Sequence, residues 1–182
     1  MPRSATGRST KPINSGFTLI ELLAVIAIMA VLTGLVVLST GDGGREREIR
    51  QEAERLSALI HIAREEVMLG ASEVGVAFTR HGYHFQRQQL VNEQTLEWRD
   101  ITADGQLRSR SLIDQDLELE LSVEGRRVRL ETDPEHPDPN VFLEGSGEVT
   151  PFELTISDTR ERDRGVRISG EMDGTISLER IN

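Results

Sequence analysis

"NSGFTLIELLAVIAIMAVLTGLVVLST", residues 14 to 40, is an apolar run of membrane length with one carboxylate, Glu21, near its start. Residues 22 to 38 are apolar throughout, apart from Thr33 and Gly34. A helix from Phe17 to Thr40, rising ~1.5 Å per residue, spans ~36 Å and covers the hydrocarbon core of a bilayer. A secretory signal peptide accounts poorly for it. The run is long for the apolar part of such a peptide, and no A-x-A-like cleavage site lies in the "STGDGG" that follows. A plain signal anchor accounts for the length and for the basic flank of Arg3, Arg8 and Lys11, which places the N-terminus in the cytoplasm. It does not account for Glu21. A charged side chain at the centre of a spanning helix costs roughly 2.5 to 3.5 kcal/mol on insertion scales, so it needs a partner and a purpose.

The partner is suggested by the residues in front of the run. A cut between Gly16 and Phe17 creates an N-terminal amine four residues from Glu21, on the same helix face. An amine is positive at neutral pH and suits a buried carboxylate. Such a cut also keeps the apolar helix in the mature chain.

The stretch Gly16-Phe17-Thr18-Leu19-Ile20-Glu21 resembles the class III signal sequence of type IV pilins and type II secretion pseudopilins: a short basic leader, glycine, phenylalanine, an acid at the fifth mature position, then the apolar helix. The resemblance implies that Gly16 precedes the cut made by a prepilin peptidase. It implies that Phe17 becomes the methylated N-terminus, and that Glu21 pairs with the amine of a neighbouring subunit during filament assembly. Many pilins carry a proline in the spanning half of this helix; here there is none, and Gly34 is the one weak point.

Charge narrows the class further. Three of the 21 basic residues precede Phe17, so the mature chain carries 18, all arginine, against 31 acids, a net −13. Such a body repels nucleic acid and anionic lipid surfaces, and no nucleic-acid partner is expected. With no cysteine, disulfides, thiolate metal sites and cysteine nucleophiles are all excluded.

After the run, "TGDGG" (40 to 44) reads as a flexible break, with Asp42 placed to cap the next helix. From Arg45 to Gly70 an amphipathic helix is expected. Its apolar stripe is Ile49, Ala53, Leu56, Ile60, Ala63 and Val67 at spacings of three and four, with Glu46/Arg50 and Arg47/Gln51 on the solvated face. Beyond Gly70 the period becomes two. Val74, Val76 and Phe78, then Tyr83 and Phe85 across "TRHG", form one hairpin, and Leu96 with Trp98 a further short pair. Leu117 to Val123, a turn at Glu124-Gly125, and Val128 with Leu130 form another hairpin; Phe152 to Ile156 is a strand; Val166-Ile168 and Ile176-Leu178 close the chain around Asp173-Gly174. This predicts an α+β, pilin-like chain of eight to ten short strands, in which a long N-terminal helix (transmembrane half plus amphipathic half) packs on antiparallel β-sheets. "TDPEHPDPN", 132 to 140, is expected to be an exposed loop. The expected divisions are a leader at 1–16, a transmembrane and assembly helix at 17–40, its amphipathic continuation at 41–70, and a β-rich globular domain at 71–182.

"EGSGEVTPFELTI", residues 144 to 156, resembles a stretch near the C-terminus of the H class of type II secretion minor pseudopilins, as do "GYHF" before a later tryptophan and "DGQLRSRSL". With the leader, this resemblance covers nearly the whole chain, most weakly at 86–95 and 130–141. It implies a structural subunit near the tip of a periplasmic pseudopilus, supporting export of folded proteins across the outer membrane, with no catalytic residue, cofactor or metal. The implied partners are the other minor pseudopilins, the major pseudopilin, the inner-membrane assembly platform and the prepilin peptidase. The implied location is the bacterial inner membrane, single-pass, with the C-terminal domain periplasmic, and then the pseudopilus.

Two other readings compete. A minor pilin of a type IV pilus, for pilus assembly or DNA uptake, shares the leader; "SGEVTPF", the missing C-terminal cysteine pair and the −13 charge count against it. A membrane-anchored periplasmic enzyme needs converging chemical groups. Gly145-Ser146-Gly147 lacks the G-x-S-x-G spacing and reads as a turn. His81 and His84 should point to opposite faces of a hairpin. His61 and His136 have no companions, and Asp133, Glu135, Asp138 and Glu144 match no calcium loop.

Overall fold

The computed structural model describes residues 19–39, 43–70, 72–92, 95–102, 105–132 and 134–181, with the side chains of 33–39 and 92 left out. The chain divides into two compact units, Met1–Gly41 and Asp42–Asn182. In the first, α1 runs from Leu19 to Ser39. In the second, α2 runs from Gly43 to Met68, so Gly43 and Gly44, read as part of the break, stand in its first turn; Asp42 lies outside the described residues.

The apolar stripe of α2 is buried as its spacing requires, with Ile49, Ala53, Leu56, Ile60, Ala63 and Val67 all in the core. Each large member contributes about 1.5 to 3 kcal/mol of burial. Leu59 and Glu52 are buried beside them. The solvated face pairs differently from the expectation. Arg50 bonds forward to Glu54 at 2.9 Å, an i, i+4 pair in the less favourable base-first order, while Glu46 pairs with Arg180 from the last strand at 2.7 Å.

Ten strands are described, all paired antiparallel in two sheets. The first sheet orders β3 (Thr95–Asp100), β2 (Gly82–Asn92), β1 (Val74–Thr79) and β7 (Val141–Leu143), with β4 (Arg110–Ser111) also on β2. One edge of β2 thus holds three segments in turn: β3 opposite residues 86–92, Ile101 donating to the Phe85 carbonyl at 2.9 Å, and β4 opposite Gly82 and Tyr83. The second sheet orders β10 (Ile176–Ile181), β9 (Gly165–Gly170), β8 (Phe152–Asp158), β5 (Leu117–Val123) and β6 (Arg126–Val128). The helix α2 packs mainly on β8 and β9 and also reaches β1 and β7, so one core serves both sheets.

The β5–β6 turn forms where the sequence placed it. Glu124 (φ 50°) and Gly125 (φ 74°) both take positive φ, the geometry of a two-residue turn whose twist matches its strands. The strand β1 departs from a half-exposed pattern: all six of its residues are buried, because α2 covers one face and the 134–140 segment the other. That segment was expected to be solvated. Instead Pro137 is buried, its carbonyl accepting from Gln86 Nε2 at 2.9 Å, and Asn140 Oδ1 accepts from the Phe78 amide at 2.8 Å. Prolines cannot join a ladder, but they cover a sheet face without leaving amides unpaired. Leu96 and Trp98 do share a face, though it is the outer one, and Leu96 remains 59% exposed.

Residues 144–151, the "EGSGEVTP" stretch, join the two sheets. Gly147 closes a turn by donating to the Glu144 carbonyl at 2.8 Å, and Val149 bridges to Leu143 in the first sheet. The Val149 amide bonds the Met172 carbonyl at 3.1 Å in the β9–β10 turn, while the Pro151 carbonyl accepts from Glu124 at 2.9 Å.

Candidate functional site

In α1 the side chains of Leu19, Ile20, Leu22, Leu23, Val25 and Ile26 are between 46 and 79% exposed. The apolar surface runs round the helix instead of along one stripe, the pattern of a helix that needs a covering of lipid or of other helices. Among the described residues no helix is long and apolar enough to cross a membrane. Glu21 lies in the first turn of α1 and is exposed. A carboxylate there is favoured by the N-terminal end of the helix dipole, typically by 0.3 to 1 kcal/mol. That benefit falls well short of the cost of carrying the charge into a bilayer. Gly16 and Phe17 lie outside the described residues.

The second unit places the other candidates as follows. Ser146 sits in the 144–147 turn, its Oγ accepting from the Glu148 amide at 3.2 Å. His84 lies on the outer face of β2, with Nδ1 at 3.0 Å from Asp100 Oδ2, whereas His81 stands in the β1–β2 turn. Ser109 Oγ donates to the same Asp100 oxygen at 2.6 Å, and Gln86 Nε2 to the other at 3.0 Å. Serine, histidine and aspartate therefore meet, but in the wrong order for nucleophilic catalysis. The carboxylate stands between hydroxyl and imidazole, where activation needs the imidazole in the middle. Partial burial pushes the Asp100 carboxyl up, and the bonds from His84, Ser109 and Gln86 outweigh it and hold the group below the usual carboxylate range. The Gln86↔Asp100 register is what assembles this cluster, and sequence spacing does not reveal it. Among the described residues no three metal-binding side chains are grouped to hold an ion; Asp133 lies outside them.

The most buried carboxylate among the described residues is one that the sequence does not single out. Glu52, 4% exposed on α2, accepts from Tyr83 Oη and from Arg110 Nε, each at 2.8 Å. Burial, and the carboxylate beside it, push the Tyr83 hydroxyl far above its ordinary range. The helix is pinned at three further places. Near its start Arg45 pairs with Asp158 and donates to the Asp116 carbonyl at 3.2 Å. Further along, Arg64 donates to the carbonyls of Gly147 at 2.7 Å and Asp173 at 2.9 Å, holding both turns that flank the sheet junction. Gly174 (φ 81°) leaves the room this needs, since a Cβ there would stand 2.3 Å from Arg64 Nε. Near the C-terminal end Glu66 meets Arg87 of β2 at 3.0 Å. These groups position a rigid body on a helix, and none is arranged around a space where a substrate's reacting atom could sit.

Comparison with known proteins agrees with this architecture. Residues 52–174 match the family model described as type II transport protein GspH, and residues 12–37 match the prokaryotic N-terminal methylation motif. The chain is 33% identical to type II secretion system protein H of Pseudomonas aeruginosa, over 86% of this chain and 90% of that one. It is 30% identical to the protein of the same name from Aeromonas hydrophila, over 84% and 86%. The crystal structure of the minor pseudopilin EpsH of Vibrio cholerae superposes with a TM-score of 0.60 at 23% identity, covering 75% of this chain and 96% of that one.

Proposed function

The chain belongs to the GspH family of type II transport proteins, the H class of minor pseudopilins of the type II secretion system, and we propose that it works mechanically, as a subunit near the tip of the pseudopilus. The helix α1 supports this reading best: it is apolar on all sides yet carries a carboxylate in its first turn. In this account the leader 1–16 is removed by the prepilin peptidase between Gly16 and Phe17, and Phe17 is methylated. Residues 17–40 hold the subunit in the inner membrane, N-terminus cytoplasmic, with the α2 and β-sheet body in the periplasm. On assembly the spanning helix leaves lipid for the apolar surfaces of its neighbours, so little hydrophobic free energy changes and packing decides the exchange. Glu21 then sets the register, since its desolvated carboxylate is satisfied only where the methylated amine of a neighbouring subunit meets it. The partners are the major pseudopilin and the other minor pseudopilins, gathered on the inner-membrane assembly platform.

Clean deletion of the gene in its host, with exoenzymes measured in the supernatant beside surface twitching, tests this reading. Enzymes stranded in the periplasm with normal twitching are expected, with recovery on complementation. Normal secretion with lost twitching or DNA uptake would place the subunit in a type IV pilus instead.

A further inference from the structure

The body of this protein is strongly acidic, yet one groove reverses the sign. It lies where the end of β1 meets β5 and β6, with a volume of about 390 Å³, and it is lined by four arginines (Arg80, Arg127, Arg129 and Arg162) against two glutamates, Glu118 and Glu120. The backbone builds it. The Leu119 amide donates to the Arg80 carbonyl at 2.7 Å and the Arg80 amide to the Glu131 carbonyl at 2.8 Å, so Arg80 is held between β5 and the segment following β6.

The two glutamates are already engaged. Glu120 Oε1 holds Arg127 at 2.7 Å, and buried Glu118 holds Arg162, with Nη2 at 3.1 Å from Oε2. Arg80 and Arg129 have no carboxylate partner among the described residues, and both are exposed. Two guanidinium forks are thereby left over, a local reversal of sign on a mature chain that carries −13 overall. Half-buried Val128 also lines the groove, over the buried Leu119 and Leu130, a small apolar floor under a cationic rim.

We infer that this groove docks an extended, carboxylate-rich segment of a partner protein. Arg80 and Arg129 each take a carboxylate through a forked pair of hydrogen bonds, and an intervening side chain lies on Val128. An inorganic anion fits less well, because the charges are strung along an open groove instead of converging on one point, and the apolar floor adds nothing for it. Nucleic acid draws its affinity from a long run of phosphate contacts, and Arg80 and Arg129 alone supply too few. The inference rests on the groove alone and stands apart from the placement of the subunit at the filament tip.

The test uses the full chain in detergent micelles and a fluorescein-labelled decapeptide of alternating glutamate and alanine, read by anisotropy at low salt. The double variant Arg80→Glu with Arg129→Glu is expected to bind at least tenfold more weakly than the unaltered chain, whereas Arg80→Lys with Arg129→Lys falls between. Arg47→Glu with Arg55→Glu, on the exposed face of α2 away from the groove, should change binding less than twofold. Equal binding by the groove variant, or equal losses in both Glu pairs, would overturn the inference. So would displacement of the peptide by millimolar inorganic phosphate, which would make the groove a simple anion site. Thermal unfolding of each variant checks the fold, and Arg129→Gln, a single exposed change, carries the test if the double variant is unstable.

Discussion

Replacing Glu21 by alanine is expected to leave the chain in the inner membrane and to keep it out of the filament. The two halves of that result have opposite signs. Insertion becomes no harder, since the variant sheds a carboxylate whose cost rises towards roughly 2.5 to 3.5 kcal/mol at the centre of a bilayer. Assembly becomes harder, since the neighbour's amine is left desolvated without its counter-charge, a loss of about 3 to 5 kcal/mol. That corresponds to a subunit contact weakened on the order of 100-fold or more. Membrane fractionation with cysteine-free cross-linking between subunits reads both halves. Glu21→Gln should behave like Glu21→Ala, because it retains shape and hydrogen bonding but not charge, while Glu21→Asp should recover part of the assembly. Normal cross-linking by the alanine variant would remove the role assigned to the acid.

The largest stability effect is expected at Glu52. Its carboxylate is 4% exposed and satisfies both the fully buried Tyr83 hydroxyl and the Arg110 guanidinium. In Glu52→Ala the buried Tyr83 hydroxyl and the half-buried Arg110 guanidinium both lose their acceptor, at a cost of about 3 to 5 kcal/mol. At ~2 to 4 °C per kcal/mol for a chain of this size, the melting temperature should fall by roughly 10 to 15 °C. Glu52→Gln keeps an acceptor oxygen and should lose less than half of that. Tyr83→Phe removes one hydrogen bond and leaves the ion pair, so a loss of about 0.5 to 1.5 kcal/mol is expected. Thermal unfolding followed by circular dichroism measures all three. A drop for Glu52→Ala no larger than that for Tyr83→Phe would show that the Arg110 pair contributes nothing.

These two acids also mark where the sequence was readable. Glu21 stands out because its neighbours are all apolar, and a single charge in such a run is conspicuous. Glu52 is hidden because it sits among Arg50, Glu54 and Arg55, in a helix where charges are ordinary. It lies beside the buried stripe position Ala53, and the partners that satisfy it, Tyr83 and Arg110, are 31 and 58 residues away in sequence. The stripe itself was legible, since a period of 3.6 over six positions admits few alternatives. The hairpins of Leu117–Val128 and Gly165–Ile181 were equally clear, because alternation and a turn containing glycine coincide there. The short strands β4 and β7 carry too few residues to show a period, and their pairing is settled by β2 and β1. Pro137 and Asn140 were read as solvated because prolines and acids usually are; the need to cover the outer face of β1 decided otherwise.

The functional reading depends on the leader more than on the body. The matched methylation motif spans residues 12–37, and in the proposed reading a cut before the apolar helix would make that helix an assembly element instead of a discarded signal or a passive anchor. The most direct measurement is therefore the intact mass of the protein purified from the membranes of its own host. The account predicts a chain that begins at Phe17, lacks residues 1–16 and carries one added methyl group. A chain beginning at Met1, or one shortened to the 40–44 segment after the apolar run, would contradict it.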